Sequence, residues 1–165
     1  IGLSHSGWRG TVNRMGKVTA ESLKREFGAE PEDLICCIGP GICGDCFEVG
    51  YELACEFIRS FPEADSGKLV KYISEDNSAE DIRNKDISVL KKTGISSVED
   101  IKEDRKYYVD LWYANYLVLL EVGVKPENIS VTNVCTRCNH KLLYSHRICG
   151  DKRGNAAAML CMKEE

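Results

Sequence analysis

A layered α+β fold built on a mixed β-sheet is what this sequence predicts, and three observations predict it. Short apolar runs bounded by glycine and proline alternate along the chain with longer stretches of helical periodicity. No internal repeat or low-complexity segment interrupts the alternation. The 165 residues, 43% of them hydrophobic, suffice for one domain with a sizeable core. We therefore expect a single domain over residues 1–165, a layered α/β sandwich with a mixed β-sheet, whose strand order the sequence leaves open.

The elements follow in order. Ile1-Gly2-Leu3 reads as a short opening strand, and an apolar start without a polar lead-in reads as a cut through a longer polypeptide. Val12, Met15, Thr19, Leu23 and Phe27 recur at helical spacing, with Gly28 placed to stop the helix. Residues 34–38 form an apolar run, read as a buried strand, which empties into the turn-rich loop Gly39-Pro40-Gly41-Ile42-Cys43-Gly44. Leu53, Ala54, Phe57, Ile58 and Phe61 mark an amphipathic helix closed by Pro62, and residues 69–73 a strand. The charged stretch 74–106 reads as an inserted surface excursion with a helix around 82–92. After Tyr107-Tyr108-Val109, Asp110 is suited to cap a helix carrying Leu111, Ala114, Val118 and Val122 on one face until Gly123. Strands are expected at 129–134 and, closing the chain, at 156–161.

Composition narrows the function classes. The net charge is −4 and the lysines and arginines are scattered singly, so no basic stripe points to a nucleic-acid partner. No apolar run is long enough to span a bilayer, and no signal peptide is visible. Nine cysteines, including adjacent Cys36-Cys37, fit a reduced cytoplasmic protein better than a secreted disulfide scaffold. Cys55 and Cys161 fall in segments that read as buried, where a free thiol acts as a small hydrophobe.

Three groups carry possible chemistry. In His5-Ser6-Gly7-Trp8-Arg9-Gly10, a glycine-bracketed loop enters a helix expected to start near Thr11. Such a loop can turn the His5 imidazole into a pocket. Trp8 offers a flat face to a ring substrate, and Arg9 a planar fork for phosphate or carboxylate. The same residues also read as a buried, hydrogen-bonded histidine beside a Trp8–Arg9 packing pair. Next, Cys43/Cys46 and Cys135/Cys138 are Cys-x-x-Cys pairs able to supply four thiolates to a structural zinc. The 89-residue gap between them is far longer than in compact zinc ribbons, and unpaired thiols are the favoured reading. Finally, Tyr144-Ser145-His146-Arg147 with Lys152-Arg153-Gly154 gathers cations that suit an anion clamp or a solvated turn. The chain has no Gly-x-Ser-x-Gly elbow, no Walker loop and no dinucleotide glycine fingerprint. Its three histidines are too few for a multi-copper centre.

Taken in order, these motifs resemble the laccase-domain family, also called multicopper polyphenol oxidoreductase or YfiH-like. The resemblance rests on His5-Ser6-Gly7-Trp8-Arg9-Gly10-Thr11, Ile38-Gly39-Pro40-Gly41-Ile42 and Phe47-Glu48-Val49-Gly50. It continues through Asp110-Leu111-Trp112-Tyr113-Ala114-Asn115, Cys135-Thr136-Arg137-Cys138-Asn139, Tyr144-Ser145-His146-Arg147 and Arg153-Gly154-Asn155-Ala156-Ala157. It implies a CNF1/YfiH-like sandwich with its N-terminal part missing. It also implies one zinc held by two histidines and a cysteine, of which His5 alone falls in this segment, so that the segment by itself is expected to be inactive.

The implied activity of the complete protein is phosphorolysis of adenosine, inosine, guanosine or methylthioadenosine, together with deamination of adenosine. His5 and Arg9 become the candidate catalytic residues, Trp8 and Arg147 the candidate substrate contacts, and His5 the metal ligand. The expected partners are a purine nucleoside and phosphate, in a cytoplasmic monomer or weak homodimer without nucleic-acid or membrane contacts. Copper-dependent polyphenol oxidation is the runner-up, and a non-catalytic domain with zinc on Cys43, Cys46, Cys135 and Cys138 a third reading.

Overall fold

Residues 1–74, 77 and 90–163 are described by the structure, a computed structural model. In chain order the elements are α1 (Trp8–Val12), α2 (Met15–Phe27), β1 (Cys36–Ile38), β2 (Glu48–Val49), α3 (Tyr51–Ser60) and α4 (Ser66–Leu69). Then come β3 (Val70–Ile73), β4 (Lys92–Gly94), β5 (Tyr107–Val109), α5 (Leu111–Glu121), β6 (Ile129–Val131) and α6 (His146–Cys149). Helices and both parallel and antiparallel pairings are present, in keeping with the expected α+β class. The chain gathers into two compact units, Ile1–Gly41 with Asn115–Glu165, and Ile42–Ala114.

In the first unit, β1 and β6 pair in parallel, with Cys36 opposite Ile129 and Ile38 opposite Val131. Asn133 takes a left-handed conformation (φ 54°), which ends the expected 129–134 strand at Val131. The expected helical run from Val12 to Phe27 is broken into α1 and α2 by Arg14, also left-handed at φ 58°. Gly28 stops α2 as expected: at φ 67° its N–H reaches the Lys24 carbonyl at 2.9 Å. Of the residues placed on the α2 apolar face, Phe27 is instead 74% exposed. Helix α2 meets α5 at Gly16, where a Cβ would lie 3.3 Å from Val118.

Two expected strands do not form. The segment 1–7 has no regular structure, because Gly2 lies against Thr19 and Leu23 of α2 and so runs along a helix, not beside a strand. Residues 156–161 also stay irregular and exposed; three consecutive alanines, Ala156 to Ala158, offer little to a pleated surface. Cys161 is accordingly exposed, whereas Cys55 is buried as expected.

The second unit is an antiparallel sheet in the order β2-β5-β3-β4. Helix α3 buries Ala54, Cys55, Phe57 and Ile58, and the Phe57 and Phe61 rings stack at 6.1 Å. The core continues through Leu69, Val70, Tyr107 and Val109, all fully buried. Tyr107 satisfies its hydroxyl on the Lys102 backbone, accepting from N–H at 2.6 Å and donating to the carbonyl at 2.9 Å. Within the stretch 74–106, β4 forms the sheet edge, and Leu90, Ile95 and Ile101 are buried. The helix expected around 82–92 lies largely outside the described residues, and Lys92 opens β4. Asp110 caps α5 as expected, its Oδ1 accepting the Tyr113 N–H at 2.9 Å. Among the described residues no helix is long and apolar enough to cross a membrane.

Candidate functional site

The His5 loop is shaped by two glycines. A Cβ at Gly7 would lie 2.9 Å from His5 Nε2, so the imidazole folds directly over the Gly7 backbone. A Cβ at Gly10 would lie 3.1 Å from the His5 carbonyl oxygen. A larger side chain at Gly7 would have to displace the His5 ring, and one at Gly10 would press on the His5 backbone. Helix α1 starts at Trp8, three residues earlier than the sequence suggests, with Gly7 as an extended N-cap. His5 is exposed, and its ring has no hydrogen-bond partner among the described residues. The reading of His5 as a buried, hydrogen-bonded histidine is therefore corrected.

Thr11 and Asn115 hold this loop, roles that the residue-level reading missed. Thr11 is fully buried, and its hydroxyl proton is shared between the carbonyls of Ser6 at 3.2 Å and Gly7 at 3.1 Å. The same oxygen accepts the Asn115 side-chain amide at 2.9 Å. Both residues sit inside motifs quoted for the family resemblance; the pairing between them is a tertiary contact 104 residues apart.

The Arg9 guanidinium lies over the Trp8 ring at 4.5 Å, a cation–π pair that covers one indole face and leaves Arg9 exposed. The packing-pair reading of these two residues thus holds alongside their candidate roles. Arg147 is exposed on the short helix α6, whose N-cap Ser145 is buried. The preceding Tyr144 ring sits on Gly154, where a Cβ would meet ring atoms at 2.5–2.9 Å. That contact joins the two C-terminal motifs. An open groove of about 590 Å³ in the sheet unit is lined by Tyr72, Thr93, Glu99, Asp100, Lys102 and Arg105 among others, and none of the sequence-predicted site residues lines it.

Among the described residues, which include all nine cysteines, no disulfide is formed. Burial pushes the Cys36 thiol up, which reduces its thiolate fraction. Cys43 and Cys46 belong to the unit Ile42–Ala114, and Cys135 and Cys138 to the other. Gly41 bridges Cys135 in parallel, its N–H donating to the Val134 carbonyl at 3.2 Å and its carbonyl accepting the Thr136 N–H at 3.0 Å. Cys43 follows two residues later, and a turn with the Cys46 N–H on the Cys43 carbonyl at 2.9 Å folds the first pair. Gly44 in that turn sits against Asp110, whose Oδ2 would lie 3.1 Å from an added Cβ.

Comparison with known proteins gives a consistent picture. The family model described as multi-copper polyphenol oxidoreductase laccase matches residues 1–104 and 96–163. Purine nucleoside phosphorylase YlmD of Bacillus subtilis is 28% identical over 99% of this chain and 48% of its own length. A purine nucleoside phosphorylase of Bacteroides thetaiotaomicron is 30% identical over 93% of this chain and 46% of its own, and adenosine deaminase RL5, from an unknown prokaryote, 33% over 93% and 47%. The chain thus spans about half the length of these relatives. The crystal structure of YlmD from Geobacillus stearothermophilus superposes with a TM-score of 0.60 and 26% identity, over 88% of this chain and 43% of that one. Bacillus licheniformis YfiH gives the same TM-score at 22% identity, over 87% and 43%. By its family match and the YfiH/YlmD fold that it adopts, this chain belongs to the multi-copper polyphenol oxidoreductase laccase family.

Proposed function

We propose that the complete protein acts on purine nucleosides, by phosphorolysis of the glycosidic bond and by deamination of adenosine, with a metal ligated in part by His5. The observation that carries the reading is the exposed His5 imidazole, set on Gly7 inside a chain whose relatives carry phosphorylase and deaminase names. The residues fit a metal as far as they go: the ring has no competing hydrogen bond among the described residues, and neutral imidazole is a common zinc ligand. Zinc with an open position would supply Lewis acidity and a bound water of pKa about 7.

The chain's own residues supply positioning. Thr11 and Asn115 hold the loop so that the His5 ring is fixed by backbone rather than by a side-chain partner. The Trp8 indole, with Arg9 over one face, would wall the pocket or stack on the purine with the other. Arg9 and Arg147 are the cations proposed to meet phosphate and the charge that builds at the departing base. The three histidines of this chain are too few to hold the copper centre of a polyphenol oxidase by themselves.

The test uses the full-length protein with adenosine, and with inosine plus phosphate. Chromatography should reveal adenine or hypoxanthine with ribose 1-phosphate, and ammonia from adenosine. Release of none of these products overturns the proposal.

A further inference from the structure

We propose that Cys135 and Cys138 form a reactive dithiol that exchanges reversibly with low-molecular-weight disulfides, with Cys138 as the attacking thiol and Cys135 as the resolving one. Both lie within one compact unit, Ile1–Gly41 with Asn115–Glu165. They differ in access: Cys138 is exposed, whereas Cys135 is buried at 5% exposure. A disulfide arriving from solvent therefore meets Cys138 first. The two Sγ atoms lie within 4.8 Å of each other, so once Cys138 carries a mixed disulfide the second thiol is already its neighbour.

The backbone of the turn suits these roles. The Cys138 N–H points at Cys135 Sγ at 3.4 Å. A donor aimed at sulfur favours the thiolate, which supports Cys135 as attacking group when the bridge closes and as leaving group when it opens. In the other Cys-x-x-Cys turn the corresponding N–H, that of Cys46, goes to the Cys43 carbonyl at 2.9 Å. The Cys135 carbonyl accepts the Asn139 N–H at 3.0 Å and its side-chain amide at 2.8 Å, which closes a helical turn over the pair. Cβ atoms three residues apart in such a turn are about 5–6 Å apart, and a disulfide holds them at about 3.5–4.5 Å. Closing the bridge therefore tightens the turn by about an ångström. A bridge held in that tension is easily reduced again. The movement falls on Cys138, because Cys135 is flanked by ladder bonds: the Gly41 N–H donates to the Val134 carbonyl at 3.2 Å and the Gly41 carbonyl accepts the Thr136 N–H at 3.0 Å.

The exchange balances in atoms and electrons. The Cys138 thiolate attacks one sulfur of the small disulfide, whose S–S bond breaks, and one thiolate departs and is protonated. Cys135 then attacks the Cys138 sulfur, the mixed disulfide breaks, and the second small thiol is released. The two protein thiols give up two electrons and two protons, which reduce the small disulfide to two thiols. This chemistry stands independently of the nucleoside reading.

The test incubates the full-length protein with glutathione disulfide, blocks remaining thiols with an alkylating agent and digests with trypsin. Arg137 lies between the two cysteines, so cleavage after it should leave the Cys135 and Cys138 peptides joined until dithiothreitol parts them. Cys135→Ser should instead accumulate glutathione on Cys138, at about ten times the wild-type level or more, because nothing resolves the adduct. Cys138→Ser should leave Cys135 unmodified, and the control Cys161→Ser should match wild type. The joined peptides in wild type require no variant to fold. The proposal is overturned if both thiols of wild type remain reduced at glutathione disulfide concentrations that modify the exposed Cys161. Bridges from either residue to another cysteine, or glutathione on Cys135 in Cys138→Ser, would overturn it equally.

Discussion

The Asn115 side-chain amide donates a 2.9 Å hydrogen bond to the Thr11 hydroxyl oxygen, and both residues are buried. Through the Thr11 proton, that bond reaches the carbonyls of Ser6 and Gly7, so the backbone beneath His5 is tied to α5. A buried chain of this kind has directional content that apolar packing lacks.

Thr11→Val tests the chain. It keeps the shape but removes the acceptor for Asn115 and the donor for Gly7, and should lower unfolding free energy by about 1–3 kcal/mol. Thr11→Ser keeps both hydrogen bonds and loses one buried methyl, at about 1 kcal/mol. Urea denaturation of both variants measures the difference. Equal stability of the two would mean that the methyl, not the hydroxyl, carries the role of Thr11.

Gly7→Ala separates the loop from the fold. At φ −67° and ψ 177° the Gly7 backbone suits alanine, so no conformational strain is expected. The new methyl would sit 2.9 Å from His5 Nε2 and must push the ring away. The His5 ring signals in NMR should shift, with stability changed by less than about 1 kcal/mol. Displacement approaching 1 Å should cost the full-length enzyme about 10–100-fold in kcat. Unmoved His5 signals would show that the ring does not rest on Gly7.

Glu121 gives a pH signature. Burial pushes its carboxyl up, but hydrogen bonds and charge from Arg14 at 2.7 Å and Lys17 at 3.4 Å outweigh this and hold it below the ordinary carboxylate range. A folded-state depression adds stability above the unfolded carboxylate range, and that stability is lost as pH falls through the lower, folded value. Since Glu121 is 43% exposed, solvent screening keeps the amount under about 1 kcal/mol. Wild type should exceed Glu121→Gln in stability at neutral pH, and the two should converge as pH falls through that lower, folded value. A gap that widens on acidification would have the wrong sign.

Gly154→Ala probes the C-terminal motifs. The added methyl would enter the Tyr144 ring, so the Tyr144 resonances should move while those of the sheet residue Tyr107 do not. A variant with unshifted Tyr144 signals would leave the two motifs unconnected.

Much of the fold was legible because local chemistry and tertiary demand agree. Gly28 and Gly123 both stop helices in conformations with positive φ, and Asp110 caps α5. The three-residue segments 36–38, 107–109 and 129–131, rich in β-formers, became strands because each found a partner. Ile1-Gly2-Leu3 and residues 156–161 look similar by composition but pair with no strand, and pairing is a property of the fold, not of the segment. For the site, the motif order pointed to His5, yet its exposure and the support from Thr11 and Asn115 were visible only in three dimensions.

The central claim is that His5 works in chemistry rather than in folding, and kcat/KM of full-length His5→Ala for adenosine tests it most directly. With an unchanged denaturation midpoint, the account predicts a fall of about 100-fold or more, the scale on which one preorganised electrostatic group acts. Wild-type kcat/KM in a folded His5→Ala variant would contradict it.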